Sequence, residues 1–150
     1  MPDSNSRQLT DEQRRTLIER AIIARRNAYA PYSDYPVGAA ILTESGAIHT
    51  GCNIEIASYG ATVCGERTAA FKAVSEGDRE FRAVAVVTSN GAAPCGICRQ
   101  VLYEFGPLMT VILADTGGEI VWEGPLSTLL PMCFTPQQLA EGQTRADSHA

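Results

Sequence analysis

The chain has 150 residues, 45% of them hydrophobic and 19% charged, which describes one globular domain able to bury a core without disulfide staples. Twelve Lys and Arg stand against seventeen Asp and Glu, and the net charge of -5 argues against attraction to polymeric nucleic acid or an anionic membrane. No apolar run approaches the roughly 20 residues of a membrane span, and the first residues lack a basic-then-apolar export pattern, so a soluble cytoplasmic protein is expected.

Residues 1–9 are polar and expected to be loose. Thr10-Asp11-Glu12-Gln13 reads as a capping box, and Leu17, Ile18, Ala21, Ile22, Ala24 and Ala28 recur at three and four, so a first helix is expected over 11–29, stopped by Pro31. The β-type runs 37–42 and 47–53 flank a Ser45-Gly46 turn and predict a hairpin. A second helix is expected over 64–76 with Gly77 as its C-terminal cap, and the unbroken apolar run in 82–88 suits a central strand covered on both faces. A third helix over 96–105 ends at Gly106-Pro107; 110–114 and 119–122 form another hairpin, and a short helix follows near 126–130. The order α-β-β-α-β-α-β-β predicts a single domain over 10–136, a mixed sheet with helices on its faces, and a polar C-terminal tail over 137–150.

Five cysteines are too few, and odd in number, for a disulfide scaffold, so a metal or catalytic role has to be weighed. Cys64 opens the second helix and the pair Cys95 and Cys98 opens the third. Helix N-termini favour thiolates, and a C-x-x-C pair joined by a third thiolate from another helix suits Zn²⁺ with its fourth position left for water, the arrangement of catalytic zinc. Glu66, two residues from Cys64, is placed beside the metal rather than on it and is the expected general acid/base. Three thiolates make the site electron-rich, so Arg67, favoured over Arg99, is expected to donate hydrogen bonds to sulfur. Two other readings stay open: a structural zinc module with Cys52, Cys133 or His49 as fourth ligand, and a thiol redox protein. Alone, Cys52 and Cys133 read as packed thiols, and His49 and His149 as solvent residues.

The ordered set Pro31-Tyr32-Ser33, Val37-Gly38-Ala39-Ala40, Gly51-Cys52-Asn53-Ile54-Glu55, Cys64-Gly65-Glu66-Arg67-Thr68-Ala69 and Pro94-Cys95-Gly96-Ile97-Cys98-Arg99-Gln100-Val101 resembles the cytidine deaminases of the small, homotetrameric, three-cysteine type. The resemblance runs from about residue 30 to 130, with Cys64 in place of the His of the H-x-E and P-C-x-x-C deaminase pattern. It implies a three-layer α/β/α sandwich around a five-stranded mixed sheet, one zinc ion on Cys64, Cys95 and Cys98, and a homotetramer acting on free cytosine nucleosides in pyrimidine salvage. It further implies that Asn53 and Glu55 hold the sugar 3′-hydroxyl, that Tyr35 packs near the base, and that Phe134 reaches a neighbouring subunit's site. By the same resemblance, zinc-bound hydroxide attacks C4 while Glu66 protonates N3 and then the leaving amine, giving uridine and ammonia. Two positions depart from the family pattern: Gly65 stands where Ala is common and Ile56 where Asn is usual. Both are expected at the pocket, and both raise the alternative of a modified cytosine nucleoside, N4-substituted or blasticidin-like, as substrate.

Overall fold

The structure, a computed structural model, describes residues 7–146. Five strands, β1 (Gly38–Thr43), β2 (Ile48–Cys52), β3 (Phe81–Val87), β4 (Thr110–Ala114) and β5 (Ile120–Pro125), form one mixed sheet in the order β2-β1-β3-β4-β5. Only β3 and β4 pair in parallel; the other neighbours are antiparallel. β3 is central, as its apolar run requires, and its alternate residues feed both layers. Val84 and Val86 face α2 (Gly65–Ser75) and α3 (Gly96–Phe105), while Ala83, Ala85 and Val87 face α1 (Asp11–Arg25). The expected α/β/α sandwich is the observed one. Leu17 and Ala21 from α1 fill one layer, Ala69, Ala73 and Leu102 the other, and each fully buried leucine contributes about 2 kcal/mol of transfer free energy.

The topology sets up the site. β2 and β3 both run antiparallel to β1, so they point the same way, and α2 and α3 each start beyond the carboxyl end of the strand before them. Two helix N-termini therefore meet at one edge of the sheet, where open α/β sheets place ligands. Close approach of α2 depends on Gly51 in β2: a Cβ there would lie 2.7 Å from the Gly65 carbonyl oxygen and 2.9 Å from Thr68 Cβ. Gly38 in β1 has the same relation to α1, with a built Cβ 2.7 Å from the Arg25 backbone nitrogen.

Several elements differ from their sequence expectations. α1 begins at its capping box, Thr10 and Gln13 exchanging both bonds at 3.0 Å, but ends at Arg25 rather than residue 29. Tyr29 is drawn off to pair with the chain after β2: its N–H donates to the Asn53 carbonyl at 3.0 Å, and its carbonyl accepts from the Glu55 N–H at 2.8 Å. The polar C-terminal stretch is helical over α5 (Pro136–Ala146), after the short α4 (Leu126–Leu129). Its signal was present in Thr135-Pro136-Gln137-Gln138, a second capping box with proline at the first helical position and both bonds at 3.1 Å. Of the N-terminal stretch expected to be loose, Leu9 packs on the α1 layer and the Gln8 carbonyl accepts from Arg82; residues 1–6, and His149 in the tail, lie outside the described residues. His49 is no solvent residue. It is buried on β2 with Nε2 2.7 Å from Asp78 Oδ2 and Nδ1 3.2 Å from Glu76 Oε2, because the left-handed Gly77 (φ 93°) turns the chain after α2 back onto the sheet.

Candidate active site

Cys64 and Cys95 are the N-cap residues of α2 and α3, both with extended backbone, and neither sulfur caps its own helix. The side chains are free to turn to a common point, which Cys98 reaches from the first turn of α3. The sulfurs of Cys64 and Cys95 lie 3.7 Å apart and those of Cys95 and Cys98 3.4 Å apart, with all three within 4.8 Å of one another. Tetrahedral coordination at Zn–S bonds of about 2.3 Å spaces sulfurs by about 3.8 Å, so the trio fits a zinc ion without rearrangement of the backbone. Among the described residues this is the only metal-ligating cluster, and Cys52, Cys133 and His49 are outside it. The fourth ligand that a closed structural site needs is not supplied by them.

The charge of the trio is unevenly held. The neighbouring Cys98 thiol, with hydrogen bonds from Arg67 and Cys95, brings the Cys64 thiol down to about 5 against the opposing effect of burial. Cys98, fully buried, is pushed up by the same contact, by burial and by the charge of Glu66. Arg67 Nη2 lies 3.5 Å from Cys64 Sγ, while its Nε is buried without an acceptor. Arg99 turns away, bracing the Pro94 and Leu129 carbonyls at 2.7 Å each. Glu66, 4% exposed in the first turn of α2, has Oε2 3.6 Å from Cys98 Sγ, and burial raises its carboxyl above the ordinary range, with the Cys64 charge adding to the effect.

A cleft of about 270 Å³ opens in front of these groups. Cys64, Glu66, Pro94 and Cys95 line one end; Ser33, Tyr35, Asn53 and Glu55 line the other, with Val37, Val63, Ala92 and Ala93 between. Larger grooves of 360 and 340 Å³ lie along α1 and beside α5, and neither adjoins the thiols. Asn53 and Glu55 enter the cleft together because the segment is extended, Ile54 pairing with Tyr29 on one side and Val63 on the other. Asn53 Oδ1 accepts from the Val37 N–H at 2.8 Å and its Nδ2 donates to the Tyr35 carbonyl at 2.9 Å. Glu55 Oε1 accepts from the Tyr32 and Ser33 N–H groups at 3.0 Å each, and Oε2 from the Ser33 hydroxyl. These donors, the hydroxyl foremost, hold the Glu55 carboxyl below its ordinary range. The Tyr35 hydroxyl donates to Asn90 Oδ1 at 2.5 Å, joining the loop before β1 to the loop that carries Cys95.

Two expected pocket residues lie elsewhere. A Cβ on Gly65 would point at the Val37 carbonyl oxygen (3.1 Å) and Cys52 Cα (3.3 Å), toward the sheet, so the missing methyl does not enlarge the cleft. Ile56 is not in the lining, and its N–H is held by Thr62 Oγ1 at 3.0 Å. Phe134, expected at a neighbouring subunit's site, is 58% exposed in the groove beside α5. Ser33 carries more of the site than sequence reasoning assigned to it. The available signal was a serine two residues before Tyr35, the pattern of a serine turn, and the Tyr35 N–H does donate to Ser33 Oγ at 3.1 Å.

Two helix N-termini that each start on a cysteine, a buried carboxyl beside them and a polar clamp in the same cleft define a zinc-dependent hydrolytic site for a small polar substrate. The family profile described as "Cytidine and deoxycytidylate deaminase zinc-binding region" matches residues 11–114. The chain is 50% identical over 127 residues to the cytidine deaminase of Sporosarcina psychrophila, covering 83% of this chain and 93% of that one. It is also 50% identical to the cytidine deaminase of Halalkalibacterium halodurans, covering 84% and 97%. The crystal structure of cytidine deaminase from Burkholderia pseudomallei superposes with a TM-score of 0.77 at 45% identity, over 84% of this chain and all of that one. This chain belongs to the cytidine deaminase family.

Proposed function

We propose that the chain hydrolyses the exocyclic amine of cytidine and 2′-deoxycytidine, consuming water and releasing ammonia with uridine or 2′-deoxyuridine. The observation that carries this is Glu66, a buried carboxyl lining the cleft beside three thiols with zinc-ligand spacing. A structural zinc module needs no such group, and a redox dithiol needs neither it nor a third thiol. Cys64, Cys95 and Cys98 would hold zinc, which supplies Lewis-acid activation of water at neutral pH. Glu66 then does the proton work: its raised carboxyl takes a proton from the attacking water, delivers it to N3 of the pyrimidine, and serves the amine leaving C4. Arg67 draws negative charge off the Cys64 sulfur, which keeps the thiolate set from weakening that activation.

Hydrogen-bond capacity supports the sugar assignment. Glu55 has two acceptor directions filled on Oε1 and one on Oε2, leaving one open; Asn53 has one Nδ2 hydrogen to spare. Together they suit one hydroxyl that donates to Glu55 and accepts from Asn53, read as the 3′-hydroxyl, with nothing committed to the 2′ position. Neither Gly65 nor Ile56 borders the cleft, so unmodified cytosine nucleosides are the preferred substrates. The exposed Phe134 and the apolar groove around it fit a self-associating chain, read as a homotetramer, and five free thiols fit a reducing cytoplasm and a role in pyrimidine salvage. Among the described residues no helix is long and apolar enough to cross a membrane. The test is zinc-loaded Glu66→Gln assayed by loss of cytosine absorbance: kcat is expected to fall by about 10³- to 10⁴-fold with zinc content intact. Turnover within tenfold of the native rate would reject Glu66 as the proton carrier.

A further inference from the structure

Glu55 is 8% exposed, and among the described residues no cation forms an ion pair with it; its charge is met by hydrogen-bond donors from the turn at residues 32–33. Of these donors, the two backbone N–H groups both go to Oε1, and Oε2 is held by the Ser33 hydroxyl. That hydroxyl is not a free rotor. Its oxygen accepts the Tyr35 N–H at 3.1 Å, which directs its hydrogen at the carboxylate. The turn is closed by Asp34 in the left-handed region (φ 53°), whose N–H donates to the Ala30 carbonyl at 3.1 Å, and it leads directly to the Tyr35 carbonyl that anchors Asn53. One serine thus touches Glu55 itself and steadies the residue that steadies Asn53.

From this arrangement we infer that Ser33 is a positioning residue for sugar recognition: its hydroxyl occupies one acceptor direction of Glu55 Oε2 and leaves a single direction aimed at one sugar hydroxyl. The inference rests on the proposed sugar role of Glu55. Without Ser33 Oγ, Oε2 has two open directions that water fills, and the carboxylate pivots about its two Oε1 bonds. The group recognised is then still bound, but by an acceptor that has to be reoriented for each encounter.

The experiment compares zinc-loaded native chain, Ser33→Ala, Ser33→Thr and Glu55→Gln on cytidine, 2′-deoxycytidine and 3′-deoxycytidine. Ser33→Ala is expected to raise KM about tenfold for cytidine and 2′-deoxycytidine alike, with kcat within about twofold, the scale of one charge-assisted hydrogen bond. On 3′-deoxycytidine it should match the native chain, because the hydroxyl that Glu55 reads is gone. Ser33→Thr, which keeps the hydroxyl, should recover most of the loss, and zinc content should be unchanged in both variants. An equal penalty on all three nucleosides would make Ser33 a structural residue and overturn the inference, as would a silent Ser33→Ala beside a Glu55→Gln whose penalty is confined to substrates with a 3′-hydroxyl. A Glu55→Gln penalty that ignores the 3′-hydroxyl would instead overturn the sugar assignment itself.

Discussion

The two ends of the cleft are built in different ways. At the thiol end, Cys64, Glu66, Cys95 and Cys98 stand on the first turns of α2 and α3, over a core of fully buried alanines and Leu102, and their positions follow from two helix N-termini set side by side. At the other end, proposed to hold the sugar, Ser33, Tyr35, Asn53 and Glu55 sit on chain without regular secondary structure, held by cross-bonds between segments some twenty residues apart, such as Tyr32 to Glu55 and Val37 to Asn53. The contrast suits the chemistry. Metal ligands and a proton carrier have to be fixed to within a fraction of an ångström, whereas a sugar clamp needs only to be aimed, and an irregular segment can be re-aimed without disturbing the core. Damage at the thiol end is therefore expected to be all-or-none, and damage at the sugar end graded.

The largest expected effect is at the thiol end. Cys98→Ala removes the buried ligand of the trio and should abolish both stoichiometric zinc and turnover, a loss well beyond the roughly 100-fold that outer partners of a metal cost. Metal analysis with a parallel rate assay checks this, and zinc retained at one per chain would mean that the ion is held elsewhere. A smaller, graded effect belongs to Tyr35→Phe, which removes the 2.5 Å bond to Asn90. A neutral bond of this kind contributes about 1 kcal/mol, so kcat/KM should fall about two- to fivefold. Asn90→Ala, which also releases the Thr88 hydroxyl bonded to the same oxygen at 3.2 Å, should cost at least as much, and the double variant no more than Asn90→Ala alone. Additive losses would show that the hydroxyl acts on something other than Asn90. The smallest effect is expected for Gly65→Ala. At this first helical position, outside the helix interior where glycine costs most, the added methyl meets Val37 and Cys52 at 3.1 and 3.3 Å, so Tm should move by only a few degrees. The ratio of turnover on N4-methylcytidine to that on cytidine should stay put. A changed ratio would place Gly65 at the base after all and blur the division between the two ends.

Legibility in the sequence follows the same division. The Thr10 capping box, the span of α3, the central place of β3 and the ligand set Cys64, Cys95 and Cys98 were readable because each rests on signals within a few residues: caps, periodicity, and thiols beside helix starts. The end of α1 was misplaced because Tyr29 pairs with a segment 24 residues further on, where local helix preference has no vote. His49 was misjudged because its two carboxylate neighbours come from the far end of α2. The second capping box, at Thr135, is as local as the first but stands in a polar stretch with no apolar periodicity to mark a helix behind it.

By itself, the sequence determined the elements, the thiol ligands and the carboxyl beside them, since these depend on short-range backbone preferences and on the chemistry each side chain carries. Tertiary structure alone decided which way Gly65 faces, that Ile56 stays out of the cleft lining, and that the Ser33 hydroxyl meets Glu55. Those outcomes depend on contacts between distant segments, and an orientation exists only once the segments that define it have been packed against each other.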